Sequence, residues 1–154
     1  MPIIKKIIDK LIKKNISIAV AESCTGGLIA NTITKHSGVS KIFSFGIISY
    51  SNKAKSKYLS VSKTNLSKFG AVSKEVAEDM INGLYKKEKT QICISTTGIA
   101  GPNGGTKLKP VGLVYIAIKI NNKNYIFKKI YKGNRLDIHR KTRDFIFRKI
   151  YELI

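Results

Sequence analysis

The chain is poor in the residues that build most metal and disulfide sites. Among 154 residues it has two cysteines, two histidines and no tryptophan. Cys24 and Cys93 stand far apart in sequence, without the spacing of a metal-ligand pair and too few for a disulfide scaffold. His36 and His139 cannot complete a His-rich metal site with them. No metal and no cofactor is therefore expected. Acidic residues are scarce as well. Nine Asp and Glu face 29 Lys and Arg, a formal net charge of +20. Only four of the basic residues are arginine, the side chain best suited to reading bases and phosphates. The lysines are scattered, in a chain also rich in Ile and Asn, so the charge reads as composition and not as a specific nucleic-acid face. A nucleic-acid-binding protein is kept as a rival reading on the charge alone. No apolar run reaches the roughly 18–20 residues of a membrane span. The basic start, "MPIIKKIIDKLIKKN", has no signal-peptide core and no small-residue cleavage site. A cytoplasmic location follows as the expectation, with no membrane partner.

What is present is enough for one packed domain over residues 1–154. Hydrophobic residues make up 43 % of the chain, which argues against disorder. Ile3/Ile4, Ile7/Ile8 and Leu11/Ile12 recur every four residues and predict a first helix. Residues 16–21, 41–51 and 91–97 read as strands, and 111–120 and 124–131 as a hairpin turning on Asn121, Asn122 and Lys123. "GGLIANTITKHSG" reads as a helix closed by Gly38. "NKAKSKYL" is a polar turn or short helix, and "KTNLSKFG" a short helix stopped by Gly70. Ser73 is placed to cap "KEVAEDMINGLY". Asn134 is placed to cap a closing helix, with Asp137 set for a capping-box contact. The order predicts an α/β fold, a three-layer α/β/α sandwich around a mixed sheet.

Ligands of such sheets sit beyond the carboxyl ends of the strands. Three predicted strands end there in polar clusters: Glu22–Ser23–Cys24–Thr25, Tyr50–Ser51–Asn52 and Thr96–Thr97–Gly98. Ser23 lies at a strand-to-helix turn, where unpaired amides favour an oxyanion or phosphate. Gly26 and Gly27 let a ligand approach the backbone. Ser23 is either a nucleophile or, like Thr25, a helix cap, and Cys24 is a rival nucleophile. Neither histidine lies in a strand-end cluster, which argues against a Ser–His–Asp triad. A deprotonated lysine is the remaining base, and Lys53, Lys55 and Lys57 all follow the second strand. "TTGIAGPNGG" is a glycine-rich loop that can wrap a phosphate or ribose, without the Gly-Lys-Ser/Thr of a Walker motif.

Five stretches, "AESCTGGLIANTIT", "FSFGIISYSNKAK", "GAVSKEVAEDMINGL", "TTGIAGPNGGTKLKPVGLVYIA" and "GNRLDIHRKT", together resemble the CinA C-terminal domain family of nicotinamide-nucleotide amidohydrolases, in its stand-alone form. The resemblance covers nearly the whole chain. It implies an α/β/α fold and metal-independent deamidation of nicotinamide mononucleotide to nicotinate mononucleotide and ammonia. It implies Ser23 as nucleophile, activated by Lys55 and Tyr50. Cys24, Thr25, Gly26 and Gly27 would supply amides around the reacting group. Thr97, Gly98 and Gly101 would line the pocket, and Arg135 would sit near the phosphate. Where members usually carry a second arginine four residues on, this chain has His139, followed by Arg140. Any anion binding lent by His139 would fade as pH rises through about 6.5. The expected partners are a small-molecule nucleotide substrate and further copies of the chain in a homo-oligomer. A nucleotide-binding module without turnover is the other rival.

Overall fold

Residues 2–154 are described by a computed structural model. The four-residue apolar repeat folds as α1 (Pro2–Lys14) and buries Ile4, Ile7, Ile8 and Leu11. Then follow β1 (Ile18–Glu22), α2 (Leu28–Thr34), β2 (Phe43–Ile48), α3 (Asn52–Leu59), α4 (Lys63–Phe69) and α5 (Lys74–Glu88). The chain continues through β3 (Ile92–Gly98), the hairpin β4 (Leu113–Ile120) and β5 (Lys123–Ile130), and α6 (Arg135–Leu153). The sheet order is β2-β1-β3-β4-β5. β1 pairs in parallel with β2 and β3, while β3–β4 and β4–β5 are antiparallel. The sheet is mixed, as expected for an α/β chain that ends in a hairpin.

The period of two along each strand sorts side chains into two cores. Ile18, Val20, Ile92 and Ile94 pack with residues of α1, α2 and α6. Ala19, Ala21 and Cys93 pack on the other side with Leu59 of α3 and with Val76, Ala77, Met80, Ile81 and Leu84 of α5. Helices on both faces of one sheet make the predicted sandwich. The small residues are on the α3/α5 side, and there the helices come close. At Gly83 of α5 an added Cβ would stand 1.8 Å from the Leu59 carbonyl oxygen at the end of α3. That oxygen is backbone and cannot rotate away. Gly83→Ala should destabilise the fold by about 1–3 kcal/mol, the usual scale of overpacking. Thermal unfolding checks this, and an unchanged Tm would show that α3 shifts aside freely.

Local signals behave as their chemistry dictates. Ser73 accepts from the Val76 amide, and Asn134 and Asp137 form the reciprocal capping box. Gly70 ends α4. β1 to β4 each start one or two residues later than expected, and three further boundaries differ. Gly38 does not close α2; Lys35 does, after which the His36 amide bonds back to Ile33 in a tightened last turn. Gly38, with φ of 85°, instead starts a 3₁₀ turn at Val39–Lys41. β2 stops at Ile48, not at residue 51, because Ser51 already accepts from the Ala54 amide to start α3. Lys123 belongs to β5, paired with Ile120. The hairpin therefore turns on two residues, with Asn121 at positive φ, a conformation asparagine tolerates well.

Candidate active site

Glu22 organises the turn after β1. Its side chain belongs on the α2 face, and the carboxylate is buried against the start of α2. It accepts from the Thr25 hydroxyl at 2.6 Å and from the amides of Gly27, Ile29 and Ala30 at 3.0–3.2 Å. A carboxylate here satisfies amides that open a helix and complements its dipole. The Gly26 amide is taken by the Ser23 carbonyl. The Ser23 amide goes to Thr96. Among the described residues, the Cys24 and Thr25 amides are left without a partner on another residue. Four amides from Cys24 to Gly27 were expected to be open to a ligand, and two of them are spent inside the turn.

The alternation of β1 also separates Ser23 from Cys24. Ser23 continues the Ala19–Ala21 row and faces α3. There Lys55 Nζ donates to Ser23 Oγ at 2.9 Å. Cys24 turns back into the α1/α2/α6 core. Burial raises its thiol pKa to about 12, beyond what its hydrogen bond to Thr96 offsets. At neutral pH it is a protonated packing residue, and a protonated thiol is a poor nucleophile.

Lys55 is 1 % exposed, the largest fully buried side chain of the fold. Its Nζ also donates to the main-chain carbonyls of Ser49 and Tyr50, at 2.9 and 3.3 Å. Among the described residues it forms no ion pair. A buried ammonium with only neutral acceptors is poorly compensated. Burial accordingly holds the Lys55 pKa below the ordinary lysine value, opposed only by Cys24. A lysine that loses its proton more readily than an exposed one therefore stands against the serine hydroxyl. Lys53 and Lys57, on the same helix, are exposed.

The other expected site residues fall into two groups. Tyr50 contributes its carbonyl to Lys55, but its phenol lies at the surface, 59 % exposed. That hydroxyl accepts from Arg135 Nη2 at 2.8 Å, while Arg135 Nη1 donates to the Gly101 carbonyl at 2.8 Å. The Arg135 guanidinium thus joins the start of α6, the segment between β2 and α3, and the glycine loop. Gly26 is exposed with open space where a Cβ would be. Thr97 and Gly98 are engaged in the fold. Thr97 faces α5 and donates to the Ala71 carbonyl at 2.7 Å. At Gly98 a Cβ would come within 2.7 Å of the Leu113 carbonyl oxygen across the β3–β4 pair. The hydroxyl beside the turn is that of Thr96, 2.8 Å from Thr25 Oγ1. Strand alternation from the buried Ile92 and Ile94 would have pointed to Thr96.

His139 comes near the turn although it lies in no strand-end cluster. Its pKa is below the usual histidine value, first through burial and then through the Arg135 charge; the Cys24 main chain and Glu22 oppose this. Its Nε2 is buried without a hydrogen-bond partner. Imidazole is therefore mainly neutral at pH 7, and any charge it lends an anion fades below pH 6.5 and not through it. Arg140 does not replace the missing arginine, because it pairs with Asp137. Among the described residues no group of three His, Cys, Asp or Glu could hold a metal ion. No helix of the described residues is long and apolar enough to cross a membrane.

Comparison with known proteins gives the family and the fold. The family model for the CinA C-terminal domain matches residues 1–154. A CinA-like protein of Kosmotoga olearia is 47 % identical over 152 residues, covering 96 % of this chain and 37 % of its own length. A protein of Clostridioides difficile named as a putative competence-damage inducible protein is 51 % identical over 137 residues, 88 % of this chain and 33 % of its own. The chain thus spans about a third of the length of the curated relatives it matches. Among solved structures, the competence/damage inducible protein CihA of Agrobacterium tumefaciens superposes with a TM-score of 0.95 at 34 % identity, covering 99 % of this chain and 93 % of that one. A CinA superfamily protein of Escherichia coli superposes with a TM-score of 0.93 at 29 % identity, covering 99 % and 88 %. With the family model matched along its whole length, the chain belongs to the CinA C-terminal domain family.

Proposed function

We propose that the domain hydrolyses the carboxamide of nicotinamide mononucleotide, giving nicotinate mononucleotide and ammonia, with Ser23 as nucleophile. The observation that carries this is the buried Lys55 amine, without an ion pair among the described residues, 2.9 Å from Ser23 Oγ. A structural serine needs no such partner, and a structural lysine is seldom buried without a carboxylate. Neutral Lys55 takes the Ser23 proton as Oγ bonds to the amide carbon. The Cys24 and Thr25 amides are the donors left for the oxyanion, each worth roughly 3 kcal/mol of barrier when well placed. The lysine then gives its proton to the leaving nitrogen as the C–N bond breaks. Water attacks the acyl-serine, losing its proton to the same lysine, which returns it to Ser23 Oγ as the C–Oγ bond breaks and the acid departs.

Arg135 supports a phosphate-bearing substrate. Its guanidinium sits at the surface, one tyrosine side chain away from the carbonyl that holds Lys55. A remote phosphate bound there orients the small neutral amide at Ser23. Removing the phosphate should cut kcat/KM by several orders of magnitude. Arg135→Ala should cut it about 10–100-fold for the nucleotide, the worth of one charged hydrogen-bond partner, and much less for nicotinamide riboside. Equal kcat/KM for nucleotide and riboside would remove the phosphate from the reading. The direct test is ammonia release from nicotinamide mononucleotide by the purified chain. Binding of the nucleotide without ammonia would instead make the domain a non-catalytic nucleotide-binding module.

A further inference from the structure

The turn that carries Ser23 is tied to β3 by one residue. Thr96 is fully buried and meets the turn with both its main chain and its hydroxyl. Its carbonyl accepts the Ser23 amide at 3.0 Å, and its Oγ1 shares that amide at 3.4 Å. The same Oγ1 lies 2.8 Å from Thr25 Oγ1 and is the hydrogen-bond partner of the Cys24 thiol. One oxygen thus touches three consecutive residues of the turn. Its proton has one place to go. The Glu22 carboxylate only accepts, so Thr25 spends its single hydroxyl proton there, at 2.6 Å. Thr96 must therefore donate to Thr25, and its lone pairs are left for the Ser23 amide and the Cys24 thiol. The hydrogen bonds run in one direction, from the Ser23 main chain through Thr96 and Thr25 to Glu22. Glu22, Ser23, Thr25 and Thr96 are all buried, where a polar atom that loses its partner is costly. The neighbouring Ser95 spends its hydroxyl on the Ala77 carbonyl of α5, as a structural hydroxyl does. Thr96 spends its own on the segment whose Cys24 and Thr25 amides remain open.

We infer that Thr96 is a positioning residue for the attack by Ser23: its hydroxyl sets where the Cys24 and Thr25 amides stand relative to Ser23 Oγ, and so builds the oxyanion site. The inference rests on the proposed reading of Ser23 as a nucleophile, and it holds for any acyl or phosphonyl group that Ser23 attacks. A methyl group in place of the hydroxyl cannot stand 2.8 Å from Thr25 Oγ1, so the turn has to move. Displaced amides penalise the transition state and not the bound substrate, because the oxyanion exists only in the former. Lys55 meets Ser23 from the α3 side, whereas Thr96 meets the turn from the α2 side. The titration of Lys55 should therefore be untouched.

The test pairs ammonia release from nicotinamide mononucleotide by the full chain with labelling of Ser23 by a fluorophosphonate. In the labelling, Oγ bonds to phosphorus, fluoride leaves and the Ser23 proton passes to Lys55. Thr96→Val should lower kcat and the labelling rate about 10–100-fold, the scale of a reacting geometry displaced by up to an ångström. KM and the pH midpoint of turnover should not change. Thr96→Ser, which keeps the hydroxyl, should restore both rates to within about threefold of the wild type. Ser95→Ala removes an equally buried hydroxyl from the same strand and should lower Tm while leaving kcat in place. If Thr96→Val does not fold, Thr25→Val breaks the next link of the chain and is read by the same criteria. Labelling without ammonia, with the same dependence on Thr96, keeps the inference and removes the nicotinamide substrate. The inference is overturned by a loss below about threefold, by a change carried in KM or in the pH midpoint, by an equal kcat loss in Ser95→Ala, or by no recovery in Thr96→Ser. A Ser23 that neither releases ammonia nor takes the label overturns it together with the amidohydrolase reading.

Discussion

Ser23→Ala should release no measurable ammonia from nicotinamide mononucleotide while folding normally, and Cys24→Ala should keep most of its turnover. Loss of an activated serine that forms the covalent intermediate is expected to cost on the order of 10⁴–10⁶-fold in kcat. The two neighbours differ because only Ser23 Oγ meets Lys55. The Cys24 thiol is buried in the α1/α2/α6 core with its pKa raised to about 12, so almost no thiolate exists at neutral pH. Cys24→Ala removes one buried sulfur and should cost some stability, not the reaction. Circular dichroism and thermal unfolding of both variants separate misfolding from lost chemistry. Full activity in Ser23→Ala ends the mechanism, and loss confined to Cys24→Ala transfers the role to sulfur.

Most of the fold was legible because its signals are local. The apolar pairs of α1, the Ser73 cap and the Asn134–Asp137 box each act within one or two helical turns. The errors were local too. Gly38 and Lys123 each fit two readings at short range, and the last turn of α2 and the pairing of Lys123 with Ile120 decided between them.

The site was legible in part. Polar clusters at strand ends and the family resemblance pointed to Ser23, Lys55 and Arg135. Which side chain of a cluster faces which layer needs the sheet's two faces, and these are fixed by pairing distant in sequence. Ser95 and Thr97 donate to carbonyls on the α5 side, at Ala77 and Ala71, whereas Thr96 meets Thr25 on the α2 side. A reading by residue type cannot separate the two threonines, but the strand period can. Glu22 reads from sequence as one member of a polar cluster and is the anchor of α2. His139 reaches the turn through packing of α6 on α2, which no spacing encodes.

Lys55→Met should lower turnover about 10²–10⁴-fold, the worth of a general base, whereas Lys53→Met and Lys57→Met should change it little. The same substitution has a thermodynamic signature that no surface lysine can give. Folding holds the Lys55 pKa below its ordinary value of 10.5, chiefly by burial. Below the folded pKa both states hold the proton, and the wild type bears the cost of a buried ammonium. Between the folded pKa and 10.5 the unfolded chain binds more protons than the native one, so stability rises with pH across that window. Lys55→Met lacks this contribution. The stability of the wild type minus that of Lys55→Met should therefore rise with pH from the lowered pKa up to about the unfolded value, as read by urea unfolding at a series of pH values. Turnover by the wild type should climb with pH as Lys55 loses its proton and level off below 10.5, the lysine reference. Both profiles mark the native titration of Lys55, so the stability difference should begin to rise at the pH where turnover reaches its midpoint. A stability difference that stays flat across the range would mean that the native amine keeps its proton, and an amine that keeps its proton cannot accept one from Ser23.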